Sequence, residues 1–144
     1  MKQKGFTLIE LLVTMGIIAV LTGMAVFNFN QARARARDVQ RKSDLSQIAK
    51  ALELYRNDNN GKYPISLSLT DQQTYLVDNG YSRVIFVDPK GAASWEDYTY
   101  SSISPYTDYT ITACLENTAD STRKIPVEQC GVGSVGVIYQ VKNQ

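Results

Sequence analysis

Residues 6–29, FTLIELLVTMGIIAVLTGMAVFNF, are apolar almost throughout, and Glu10 is the single charge among them. At about 1.5 Å rise per residue this run is long enough to cross the ~30 Å hydrocarbon core of a bilayer. From Gln31 the polarity rises while a helical period persists. Leu45, Ile48, Leu52 and Tyr55 recur at steps of three and four, which makes one apolar stripe on an otherwise polar rod. No proline occurs before Pro64, so the pattern predicts one helix from about Phe6 to Asn57, roughly 75 Å long, with Asn60-Gly61 as its stop.

Beyond Tyr63-Pro64 the period shortens. Thr70 followed by Gln73 has capping-box spacing and predicts a short helix ending at Asn79-Gly80. Arg83 to Val87 is a compact run of β-branched and aromatic residues, and Asp97–Ile103, Tyr109–Leu115 and Val135–Val141 alternate. Three or four short antiparallel strands have one face to bury, and the stripe of the long helix is its natural cover. The expected fold class is α+β: a long N-terminal helix packed on a small antiparallel sheet.

Composition narrows the chemistry more than the fold. The 144 residues carry 15 basic and 14 acidic side chains, so there is no global field for a polyanion, and any such binding would need a local patch. Histidine is absent, which removes the commonest general base and the commonest metal ligand and argues against an enzyme. Cys114 and Cys130 are the only cysteines. They are too few for a structural zinc site, and a catalytic thiol would lack its partner base. A disulfide is favoured over two unpaired packed thiols. It would close a loop of about 15 residues, contributing on the order of 3 kcal/mol, and would place this half of the chain in an oxidising compartment.

Several side chains are candidates for function. Gly16, Ala19 and Gly23 form a stripe of small residues that would let apolar helices approach closely, against the plainer reading of local flexibility. Arg33, Arg37 and Arg41 fall on one helical face, with Arg35 and Lys42 on another. The reading favoured for them is a solvated or intersubunit salt-bridging face beside Asp38 and Asp44, and the alternative is a surface for DNA or another polyanion. These cations outnumber Lys2 and Lys4 ahead of the apolar run, against a simple positive-inside count. The tyrosines between residues 95 and 109, beside Trp95, read as amphipathic strand residues. Glu96, Asp97, Asp108, Glu116 and Asp120 match no metal-ligand spacing, so neither metal nor cofactor is expected.

The head MKQKG is unlike an ordinary secretory leader, because the apolar run after it is too long and the candidate cleavage site Ala32-Arg33-Ala34 is interrupted by arginine. Lys4-Gly5-Phe6-Thr7-Leu8-Ile9-Glu10 followed by a long apolar run instead resembles the class III signal of type IV pilins and of type II secretion pseudopilins. Asp44–Ile48 and Leu54–Pro64 are similar to the end of the long helix and first turn of major pseudopilins, and Asp88-Pro89-Lys90-Gly91 is a weaker echo. The resemblance implies a leader of residues 1–5, a transmembrane and filament-core segment of 6–30, and a globular pilin head of 31–144. It implies cleavage between Gly5 and Phe6 by a prepilin peptidase, N-methylation of Phe6, and polymerisation with copies of the same chain by an assembly platform and its ATPase. The precursor would sit in the inner membrane and the product in an extracytoplasmic or cell-surface filament. A low-abundance minor pilin or anchored binding module, for DNA uptake or adhesion, is the alternative. Phe27 stands where that family commonly has proline, and the cysteine pair is closer to the disulfide-bounded loop of pilins than to major pseudopilins.

In that setting Glu10 has a physical logic. A charge at the bilayer centre costs roughly 2.5–3.5 kcal/mol, but near the end of the span it can reach the headgroups at smaller cost. Inside a filament the carboxylate would lose that water and would need a cation, and the resemblance supplies one, the free amine of a neighbouring subunit.

Overall fold

The computed structural model describes residues 5–91, 95–122, 128–129 and 135–143. Its first element is α1, Leu8–Asp58, which includes position 27 without interruption. A proline would remove a backbone donor and break the helix, and none occurs before Pro64. The end of α1 is as the sequence suggests: Asn60 and Gly61 both adopt positive φ, 55° and 76°, and the Gly61 N–H returns to the Arg56 carbonyl at 3.0 Å.

The chain divides into two compact units, 1–34 and 35–144. In the first, an 18-residue window of α1 is apolar enough to cross a membrane and none of it is buried. In the second, Leu45, Ile48 and Leu52 are fully buried and Tyr55 packs at their edge. This is the predicted stripe. It packs with Tyr63, Leu67, Leu76 and Phe86 and with the inward residues of the sheet. Each fully buried leucine or isoleucine contributes about 1.5–3 kcal/mol relative to exposure.

Four strands, β1 (Thr99–Ser101), β2 (Thr110–Leu115), β3 (Glu128–Gln129) and β4 (Val135–Lys142), stand in the order β1-β2-β4-β3, each neighbouring pair antiparallel. Along β2, Ile111, Ala113 and Leu115 pair with Val141, Tyr139 and Val137, so alternate positions face the core as the period of two requires. Cys114, paired with Ile138, joins Trp95 in a separate small cluster.

Two local expectations are corrected. The helix after Pro64 starts earlier than the Thr70/Gln73 spacing suggested. Ser68 caps α2 (Leu69–Asp71), with its hydroxyl accepting the Asp71 N–H and the Asp71 carboxylate accepting the Ser68 N–H. The helix then widens into a π-helical turn, Gln72–Val77, with Asp78 as its cap, and in the turn that follows the Asn79 side-chain amide donates back to the Thr74 and Tyr75 carbonyls. Ser-x-x-Asp and Thr-x-x-Gln compete for the same start, and the charged carboxylate makes the stronger return bond.

Arg83–Val87 is not a strand. The buried Gln72 takes the place of a strand neighbour: its Oε1 accepts the Phe86 N–H at 2.8 Å and its Nε2 donates to the Phe86 carbonyl at 3.2 Å. One side chain thus satisfies the backbone of the residue that anchors this segment, and Phe86 enters the core. Gln72→Leu is expected to lower head stability by about 2–4 kcal/mol, because both Phe86 groups would be left buried and unpaired. Urea unfolding of the full chain in detergent, followed by the single tryptophan, reads this; a loss below about 0.5 kcal/mol would contradict it.

Candidate assembly site

Two polar residues set the first helical turn of an otherwise apolar segment. Thr7 precedes α1, and the Glu10 Oε2 accepts the Thr7 N–H at 2.9 Å and its hydroxyl at 2.7 Å, while the Glu10 N–H reaches Thr7 Oγ1 at 3.4 Å. This reciprocal capping box satisfies donors that a helix start leaves orphaned. The carboxylate therefore has local work in the single chain. Thr7 was passed over in the sequence, although Thr-x-x-Glu ahead of an apolar run is the signature that announces it. Gly5 and Phe6 lie ahead of the first turn, and Phe6 is 83% exposed.

The two threonines further along the apolar half are self-sufficient. Thr14 donates to the Glu10 and Leu11 carbonyls, and Thr22 to that of Ile18, all at 2.8–2.9 Å. An apolar surrounding requires this, since it offers no partner for a free hydroxyl. Gly16, Ala19 and Gly23 lie on open surface, and a Cβ built at either glycine would meet nothing within 4 Å.

In the second unit Arg37, Arg41 and Lys42 of α1 turn towards carboxylates of later segments. Arg41 is completely buried on α1. Its Nε and Nη2 form a fork on the two Asp88 oxygens at 2.6 and 2.9 Å, and its Nη1 reaches Asp38 at 2.8 Å and Glu116 at 2.9 Å. The Asp38 carboxylate also accepts the N–H groups of Glu116 and Asn117, both at 2.9 Å. Arg37 makes a second fork on Glu116 at 2.6 and 2.7 Å, and Lys42 reaches Asp120 at 2.6 Å. Trp95 lies beneath both the Arg41 guanidinium and the Lys90 ammonium, 5.1 and 4.3 Å from its ring centre, and donates its N–H to the Cys114 carbonyl. The Asp88-Pro89-Lys90-Gly91 turn and the residues after β2 are thus tied to α1, and the Arg41 guanidinium contacts both.

This corrects the arginine face. Arg37, Arg41 and Lys42 form an intramolecular ion cluster, and the DNA alternative loses three of its five cations. The acidic residues also have assigned places. Glu116 and Asp120 meet these cations, and Asp97 accepts the Asp88 and Tyr98 N–H groups. The tyrosines brace the helix: Tyr98 donates to Asp44 and Tyr63 to Glu53, both at 2.7 Å, and Tyr81 to Asp58 at 2.8 Å. Cys114 is buried in the cluster with Trp95, while Cys130 lies outside the described residues.

A model of the prokaryotic N-terminal methylation motif matches residues 1–26, the segment that carries the capping box and the exposed apolar helix. The type II secretion system core protein G of Escherichia coli is 38% identical over 100 residues, covering 62% of this chain and 68% of that protein. The chain belongs to this pilin and pseudopilin family. The core protein G of Klebsiella pneumoniae is 36% identical over 101 residues, 63% of this chain and 71% of the relative. The type IV wide pilus major component PilA4 of Thermus thermophilus is 40% identical over 77 residues, 54% of this chain, which spans only about half the pilin's length (53%). No solved structure matched significantly. The family chain is a structural subunit of the pilin and major pseudopilin type bearing a prepilin methylation motif.

The ion cluster gives the pilin head a pH dependence. Burial pushes the Glu116 carboxyl up, but hydrogen bonds from Arg37 and Arg41 outweigh it and hold its pKa at about 2. The Lys42 hydrogen bond holds Asp120 at about 2 as well. Both values are depressed below the ordinary carboxylate range. The stability these groups contribute is therefore complete above the unfolded-state values, near 4, and is lost as pH falls towards 2. Asp44 acts in the opposite sense, since burial raises its pKa and its protonation favours the fold. The expected result is a melting temperature that falls steeply between about pH 4.5 and 2 in the wild-type head and more shallowly in Glu116→Gln; parallel curves would contradict it.

Proposed function

We propose that the chain is a prepilin that sits in the membrane through residues 6–30, is cut between Gly5 and Phe6, is N-methylated on Phe6, and polymerises into a pilus or pseudopilus. The observation that carries this reading is the methylation motif lying on a helix half whose large apolar side chains, among the described residues, are all exposed. Such a surface is stable only in lipid or against other apolar helices, and a filament core of the same helices supplies the second environment. Gly16, Ala19 and Gly23 are the close-approach positions, and Glu10 pairs with the amine that the cut creates on a neighbour. Prepilin peptidase and an assembly platform with its ATPase are the implied partners. The head of 31–144 lies on the extracytoplasmic side and carries a Cys114–Cys130 disulfide. In support of that pairing, Cys114 is not a free thiol and Cys130 is the only other cysteine. The chain performs no turnover chemistry, and its work is mechanical.

Intact-mass measurement of the chain recovered from its own cells tests the reading. Loss of residues 1–5, one added methyl and two missing hydrogens are expected. A chain retaining Met1–Gly5, or cut elsewhere, would overturn the processing, and a mass without the two-hydrogen deficit would overturn the disulfide.

A further inference from the structure

Five cations follow the apolar run, and the structure sorts them. Arg37, Arg41 and Lys42 each meet a carboxylate of the head. Arg33 and Arg35, the two nearest the apolar run, are exposed and among the described residues meet no carboxylate. The Arg33 guanidinium lies over the Phe29 ring, 4.9 Å from its centre. Phe29 ends the apolar run, so Arg33 stands four residues, or about 6 Å, past that end along the helix axis. Each headgroup layer of a bilayer is about 5–8 Å deep. A guanidinium that stacks on an aromatic face keeps its N–H edges free to donate to an anion in the ring plane's surroundings.

We infer that Arg33 and Arg35 are each a contact for a phospholipid headgroup phosphate in the leaflet on the side of the head, with anionic lipid preferred. The inference rests on the membrane reading above. A guanidinium offers a planar fork of donors that matches phosphate oxygens, and the phosphate is the anion that every phospholipid presents in this layer. The contacts would fix the depth of the subunit before assembly, so that the exposed apolar segment stays within the hydrocarbon and the ion cluster beginning at Arg37 stays in water. When the helix leaves the bilayer these contacts are lost, whereas the intramolecular pairs of Arg37 and Arg41 can persist.

The test uses the full chain with its leader charges removed, Lys2→Gln/Lys4→Gln, so that only one leaflet is probed, in phosphatidylcholine vesicles. Trace spin-labelled phosphatidylglycerol or phosphatidylcholine reports the lipid held at the protein surface. The expected preference for the anionic lipid is roughly fivefold per cation. It should fall to near parity in Arg33→Gln/Arg35→Gln, weaken with added salt, and be unaltered by Lys50→Gln. An anionic preference of equal size in the double variant and its parent would overturn the assignment. A chain that fails to float with the vesicles would overturn the membrane reading itself.

Discussion

Arg41→Ala is expected to destabilise the head by about 3–5 kcal/mol, because it leaves Asp38 and Asp88 buried without their cation. A domain of this size is stable by only about 5–15 kcal/mol, so the variant should be partly unfolded at room temperature or melt far below the wild type. Unfolding of the full chain in detergent, followed by Trp95, measures it. Arg41→Lys should recover only part of the loss, since an ammonium cannot make the fork on Asp88 and still reach Asp38 and Glu116. Arg41→Leu combined with Asp88→Leu should cost less than Arg41→Leu alone, because the pair then leaves together. An Arg41→Ala variant within 1 kcal/mol of wild type would show the cluster to be incidental.

Glu10→Val should abolish filaments while leaving the subunit in the membrane and cleaved. Two roles of Glu10 are separable. Its carboxylate closes the capping box with Thr7, and in the proposed filament it also meets a neighbour's amine. Glu10→Gln keeps an acceptor for the Thr7 N–H and removes the charge, whereas Thr7→Val keeps the charge and removes the hydroxyl. If pairing of charges drives assembly, Glu10→Gln should reduce filament yield by tenfold or more, an effect of at least about 1.4 kcal/mol per subunit, and Thr7→Val by less, since a cap is worth about 1 kcal/mol. Abundant filaments of Glu10→Gln, counted by shearing and electron microscopy, would defeat the pairing role.

The elements with a strong local cause were legible in the sequence. The long helix, its Asn60-Gly61 end, the Leu45/Ile48/Leu52 stripe and strand β2 follow from periods and turn residues that neighbours alone impose. Strand Arg83–Val87 was misread because its composition favours extension equally with or without a partner, and Gln72, fourteen residues from Phe86 in the chain, supplied the pairing. The arginine face was misread for a related reason. Helical spacing places Arg37 and Arg41 on a common face, but it carries no information on which carboxylates return from later in the chain.

By itself the sequence determined that this protein has an apolar helical half with one carboxylate near its start, an amphipathic continuation, and a short-stranded head. Those are consequences of spacing between neighbours, where the sequence distance is also the spatial distance. Only the tertiary structure decided the fate of the charges. Asp88 and Glu116 lie 47 and 79 residues from the arginines they meet, and burial converts an ordinary surface ion pair into one whose loss leaves a carboxylate stranded in a low-dielectric interior.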